Sequence, residues 1–271
     1  MKNGLTILTL VFLLFSCKND KNNHNSETLI VDDKETIKES LNAIDNTNKL
    51  ISETITFPSL DSLTITADVY NVDNMPITIL LCHQAGFSRG EYKDTALLLN
   101  SYGYSVMAID QRSGNAVNGV VNVTAELAKS KELKTEYIDA KPDIIAAIDY
   151  VYSTNGNKEI LLVGSSYTAT LVMLIGNENA KIKAVAAFSP GEYFKGMSIQ
   201  NGIKDLKKPT FVTASLSETD ALSVLITKMK TDKLTHYKPT DKGIHGSRAL
   251  WESTKGYQGY RIAFKAFLDS I

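Results

Sequence analysis

Cysteine, tryptophan, proline and histidine are scarce in this chain of 271 residues: it has 2 Cys, 1 Trp, 6 Pro and 4 His. Two cysteines exclude a disulfide-stapled scaffold and a four-cysteine zinc site. A charge excess of either sign is also missing. The 29 Lys+Arg stand against 30 Asp+Glu, a formal net charge of −1, so the electrostatic footprint of a nucleic-acid binder is absent. The apolar run Leu5–Phe15 is too short to cross a bilayer comfortably, and no internal repeat is visible. What remains is ordinary globular composition, 43% hydrophobic and 22% charged. That is enough apolar surface to form a core and to exclude disorder as the main state.

The N-terminus reads as a targeting segment and not as fold. Met1–Ser16 (MKNGLTILTLVFLLFS) places Lys2 before a short hydrophobic stretch, the plan of a secretory signal. It ends in Leu14-Phe15-Ser16-Cys17, which resembles a bacterial lipoprotein signal. That resemblance implies cleavage before Cys17, lipid on its sulfur and new amino group, and a place in the bacterial cell envelope. Membrane contact would then come through this N-terminal lipid alone, and Cys82 would have no partner within the chain. Export without an internal disulfide is coherent for a domain of this size. The following KNDKNNHNSE is polar and rich in Asn, a tether. Further on, residues 35–45 place Ile37, Leu41 and Ile44 at helical spacing, the pattern of a short helix. The expected division is a signal at 1–16, a tether at 17–49 and a folded domain at 50–271.

From residue 50 onward, strand and helix patterns alternate. Thr54–Phe57 and Leu63–Tyr70 alternate apolar and polar residues around a Pro-Ser-Leu-Asp turn and predict an antiparallel pair. Ile77–Cys82, Tyr104–Ile109, Glu159–Val163, Ile182–Phe188 and Thr210–Ala214 are short apolar runs, as expected of strands buried on both faces. Leu234–Tyr237 adds a short strand. Helical spacing marks 91–102, 136–153, 167–175, 221–230 and the C-terminal stretch carrying Tyr257, Tyr260, Phe264, Phe267 and Ile271. The pattern predicts an α/β fold with a mostly parallel central sheet of about eight strands and helices on both faces. In such sheets the chemistry sits just past the carboxyl ends of the strands.

Four segments at those ends carry reactive residues. Gly164-Ser165-Ser166-Tyr167-Thr168 follows a strand and opens a helix. Cys82-His83-Gln84-Ala85-Gly86-Phe87 follows another. Ser215-Leu216-Ser217-Glu218-Thr219-Asp220 follows the strand after Pro209. Gly243-Ile244-His245-Gly246 precedes the last helix. The first resembles the G-x-S-x-G nucleophile elbow of the α/β-hydrolase family, with Thr168 where Gly or Ala is usual. Ser166 is also placed to cap its helix. The second resembles that family's H-x-x-G turn, with Cys82 in the strand as core and His83 as a structural residue. Together, in the order Ser, acid, His, the segments resemble dienelactone-hydrolase-like and esterase-like members.

The resemblance implies Ser166 as nucleophile, His245 as general base and the N–H groups of Ala85 and Tyr167 as an oxyanion hole. For the acid it leaves Glu218 and Asp220 open. The family's nine-residue spacing from Pro209 favours Glu218, whereas Asp is the commoner residue in that role. Gln84, Phe87 and Tyr193 are candidate pocket residues. Asp110 and Arg112, in a stretch resembling the family's D-x-R-G-x-G loop, are expected to form a structural ion pair. Only residues 189–209 separate two strands where relatives insert a lid, and one helix is expected there, around Tyr193–Leu206. The implied function is a lipid-anchored serine hydrolase acting on small or exposed ester bonds, without metal or cofactor. A peptidase or acyltransferase on the same fold, or a binding lipoprotein that kept the fold, are the alternatives.

Overall fold

The computed structural model describes residues 52–271; the signal, the tether and the helical spacing at 35–45 lie outside the described residues. Eight strands form one sheet: β1 (Ser52–Pro58), β2 (Thr64–Tyr70), β3 (Ile77–Cys82), β4 (Ser105–Ile109), β5 (Ile160–Ser165), β6 (Ile182–Phe188), β7 (Thr210–Thr213) and β8 (Leu234–Tyr237). Their order is β1-β2-β4-β3-β5-β6-β7-β8. β2 runs antiparallel to both β1 and β4, and every other pair is parallel. The chain therefore winds outward in both directions from the β3–β5 centre.

The helices are α1 (Lys93–Ser101), α2 (Val123–Ser130), α3 (Lys141–Thr154), α4 (Tyr167–Glu178), the single turn α5 (Ile199–Gly202), α6 (Thr219–Leu225) and α7 (Tyr257–Asp269). They divide between the two faces, and the central strands alternate accordingly. Leu80 and Cys82 of β3 and Leu162 of β5 join Ile144, Ile148 and Leu171 from α3 and α4. Ile79 and Leu81 of β3 and Val163 of β5 join Leu99 of α1 and Phe264 and Leu268 of α7. Burial on both faces explains why these strands read as unbroken apolar runs. Phe188, Phe211 and Phe264 meet at centroid distances of 5.4 to 5.6 Å and lock α7 to the sheet.

Several local expectations shift. The helix expected over 91–102 starts with a tight 3-10 turn at Arg89–Tyr92, and that over 136–153 with one at Tyr137–Ala140. The helix expected over 221–230 runs from Thr219 and stops at Leu225. Helix α2 escapes the apolar periodicity; Asn122 Oδ1 caps it by accepting from Ala125 N at 2.8 Å. The helix expected at Tyr193–Leu206 is only the one turn of α5. Gly196 at φ +79° breaks the segment before it. Asp110 and Arg112 do not pair with each other. Arg112 bonds Asp143 at 2.6 Å and Asp61 at 2.7 Å, while Asp110 holds Arg89 at 2.7 Å. Each is engaged in structural ion pairing with partners far away in sequence.

Candidate active site

Strand β5 ends at Ser165, and Ser166 turns sharply into α4 with φ +61° and ψ −123°. A non-glycine residue in that region is strained by about 1–3 kcal/mol, so the surroundings must fix it. They do so in two ways. Ser166 N donates to Phe188 O of β6 at 2.8 Å. Gly164 leaves room for the turn: a Cβ there would lie 2.5 Å from Thr168 O. Thr168 takes the place where a smaller residue is usual, and its hydroxyl is used. It accepts from Ser165 N at 2.9 Å and has the carbonyls of Cys82 and His83 at 2.8 and 3.1 Å. The elbow is thereby tied to the turn after β3. Ser166 stands at the N-cap position of α4, yet its side chain makes no capping bond.

The loop after β7 and the loop before α7 bring Glu218 to His245. Glu218 Oε1 lies 2.5 Å from His245 Nδ1. A carboxylate only accepts, so Nδ1 carries the proton in this contact. The other carboxylate oxygen accepts from Ser215 Oγ at 2.7 Å, Ser189 Oγ at 2.9 Å and Ser215 N at 3.1 Å. Burial pushes the Glu218 carboxyl up, but the hydrogen bonds from His245 and Ser215 outweigh it and hold it down at about 2. Asp220 is not brought to the imidazole. It is exposed in the first turn of α6, where a negative charge suits the helix dipole. Ser166 Oγ and the imidazole are not hydrogen-bonded in this conformation; such bonds often close only around substrate.

In the turn after β3, His83 is fully buried. Its Nδ1 faces Gln84 O at 2.8 Å, and its Nε2 accepts from Gln111 N at 3.2 Å. Burial depresses its pKa to about 4, which keeps the ring neutral and structural. The N–H groups of Ala85 and Tyr167 donate to no protein acceptor among the described residues. Tyr167 N belongs to the first turn of α4, where backbone donors lack helical partners.

The Tyr193 hydroxyl donates to Ser189 O at 2.9 Å. The half-exposed Tyr137 stacks on Tyr167 at 4.6 Å. Gln84 is buried and its Oε1 has no partner among the described residues. Phe87 lies under the Arg248 guanidinium at 5.4 Å. Cys82 is a buried free thiol whose pKa burial pushes far up. Sequence reasoning missed three residues here. Ser189 bridges Glu218 and Gly246 N (2.9 Å), Tyr137 covers Tyr167, and Glu91 is buried beneath the site. The only signal for Ser189 was its position directly after a predicted strand. Among the described residues no group of His, Cys, Asp or Glu is placed to hold a metal ion.

Over about four-fifths of the chain the backbone superposes on known enzymes. It matches a Pyrococcus furiosus esterase with a TM-score of 0.64 at 15% identity, over 83% of this chain and 94% of that one. A dienelactone hydrolase from Anabaena variabilis gives 0.60 at 14% identity, over 80% and 95%. The chain has the α/β-hydrolase fold. An acylaminoacyl peptidase of Pyrococcus horikoshii gives 0.61 at 14% identity, covering 84% of this chain but 43% of that one. No protein-family model and no curated protein matches the sequence. Within this fold Ser166 follows β5, Glu218 follows β7 and His245 follows β8, all past the carboxyl ends of parallel strands.

Proposed function

We propose that the protein is a serine hydrolase, a carboxylesterase acting on small or exposed ester bonds. The observation that carries this is the strained Ser166 elbow at the same carboxyl end of the sheet as a His245–Glu218 pair. In this reading Ser166 Oγ attacks the ester carbonyl carbon as His245 Nε2 takes its proton. Glu218 orients the imidazole and stabilises its cation. The N–H groups of Ala85 and Tyr167 receive the developing oxyanion, a contribution of about 3–4 kcal/mol per donor in comparable sites. His245 then protonates the departing alkoxide, and water, deprotonated by the same imidazole, releases the acyl group from Ser166. Segment 189–209 carries only the single turn α5, which supports an open site and substrates without a long buried chain.

The test is Ser166→Ala. It is expected to abolish both hydrolysis of short p-nitrophenyl esters and labelling by a fluorophosphonate probe. Labelling that persists in this variant removes Ser166 as nucleophile. The likeness to an acylaminoacyl peptidase supports a second reading, peptide or acyl-amide cleavage. Faster turnover of aminoacyl amides than of short esters would favour it.

The proposal extends to an exported, lipid-anchored form, on the strength of the Met1–Cys17 sequence. Cys17→Ser is expected to stop metabolic incorporation of a labelled fatty acid. Continued labelling would rule out Cys17 as the anchor.

A further inference from the structure

One carboxyl group below the site takes part in none of these catalytic steps. Glu91 is fully buried, in the 3-10 turn Arg89–Tyr92. Its oxygens meet three separate loops. Oε2 accepts from Gln84 N at 2.7 Å. Oε1 contacts Ser165 Oγ at 2.7 Å and Ser247 Oγ at 2.6 Å. Ser247 N closes the cluster by donating to Ser165 Oγ at 2.8 Å.

The identity of those neighbours is what matters. Gln84 precedes Ala85, Ser165 precedes Ser166, and Ser247 lies two residues after His245. Each contact falls one or two residues from a group assigned to the reaction. The Glu91 end is itself fixed. Trp251 Nε1 donates to Glu91 O at 3.0 Å, and Arg89 in the same turn is held by Asp68 at 2.9 Å and Asp110 at 2.7 Å. A buried charged residue is costly unless its hydrogen bonds are satisfied, and here all the satisfying groups belong to the three loops. A fully satisfied buried network of this kind fixes relative positions.

We propose that Glu91 is a positioning residue that sets the oxyanion turn, the nucleophile elbow and the His245 loop relative to one another. The proposal rests on the serine-hydrolase reading for its catalytic meaning, but the clamp itself can be measured without it. Displacement of reacting groups by about 1 Å costs roughly a hundredfold in rate. Glu91→Ala is therefore expected to lower kcat by about a hundredfold while KM stays within about threefold. Glu91→Gln, which can still accept from Gln84 N and bond both hydroxyls, is expected to recover most of that loss. Ser247→Ala removes one contact and no charge. It is expected to cost about tenfold in kcat, and to cost nothing further when added to Glu91→Ala.

Hydrogen exchange supplies the readout independent of activity. In Glu91→Ala, peptides covering 83–87 and 245–249 are expected to exchange faster together, with the β1–β2 hairpin unchanged. Should Glu91→Ala fail to fold, Ser247→Ala decides on the same measurements. An unchanged kcat, a loss confined to KM, or exchange that changes only around residue 91 overturns the proposal. A wild-type protein that neither cleaves esters nor takes the probe, but whose loops loosen together in the variant, ends the esterase reading and leaves the clamp standing.

Discussion

The loop Gly243–Ser247 is gripped by a carboxyl group on each side, and the two sides are electrostatic opposites. On the outer side Glu218 is half-buried and meets an imidazole, and its pKa falls to about 2. On the inner side Glu91 is fully buried among a backbone N–H and two neutral hydroxyls. Burial is the largest cause of its shift, which is upward. Two residues of one type thus separate because burial prevails at Glu91, whereas the hydrogen bonds from His245 and Ser215 outweigh burial at Glu218. The difference suits an outer carboxylate to electrostatic work on a base and an inner one to geometry.

The largest effect that would test this contrast is at the outer side. Glu218→Gln keeps the shape but removes the charge and the tautomer control, and a fall of about 10³–10⁴ in kcat is expected on a short p-nitrophenyl ester. A loss smaller than that of Ser247→Ala would reverse the assigned roles.

The next test is thermal stability against pH. The folded pKa of Glu218 lies below its ordinary 4.5. Its contribution is therefore present above about 4.5 and lost as pH falls towards about 2. The Tm difference between wild type and Glu218→Gln should shrink between pH 5 and pH 3. Glu91 carries the opposite sign, because its folded pKa is raised. The wild type should gain on Glu91→Gln as the pH falls, and parallel trends in the two variants would abolish the distinction.

The smallest effect belongs to Asp220, exposed on α6. Asp220→Asn is expected to change kcat less than twofold, since surface changes of this kind are within about 0.5 kcal/mol. A larger loss would bring Asp220 back as a partner of His245.

Much of the fold was legible because its signals are local. Apolar runs such as Ile77–Cys82, interrupted only by Thr78, mark strands covered on both faces, and the Gly164–Thr168 turn follows another such run. The chain order of Ser166, Glu218 and His245 could be read from the loops at the strand ends. Helix α2 was not legible, because it is set by a polar cap at Asn122 and by only a few buried residues, Thr124, Ala125 and Ala128. The Asp110 and Arg112 partners were misjudged because salt bridges to Arg89 and Asp143 are chosen by packing across 21 and 31 residues. Glu91 was hidden most deeply. Its neighbours in sequence place it in a surface helix, and only the meeting of residues 84, 165 and 247 buries it.

The positive φ of Ser166 sets stability against use at one residue. Glycine occupies that backbone region without strain, so on the proposed reading a change that relieves the strain at 166 also removes the nucleophile. A screen rewarding heat resistance alone would drift towards glycine at 166. On the proposed reading, selection for turnover is what retains the hydroxyl there.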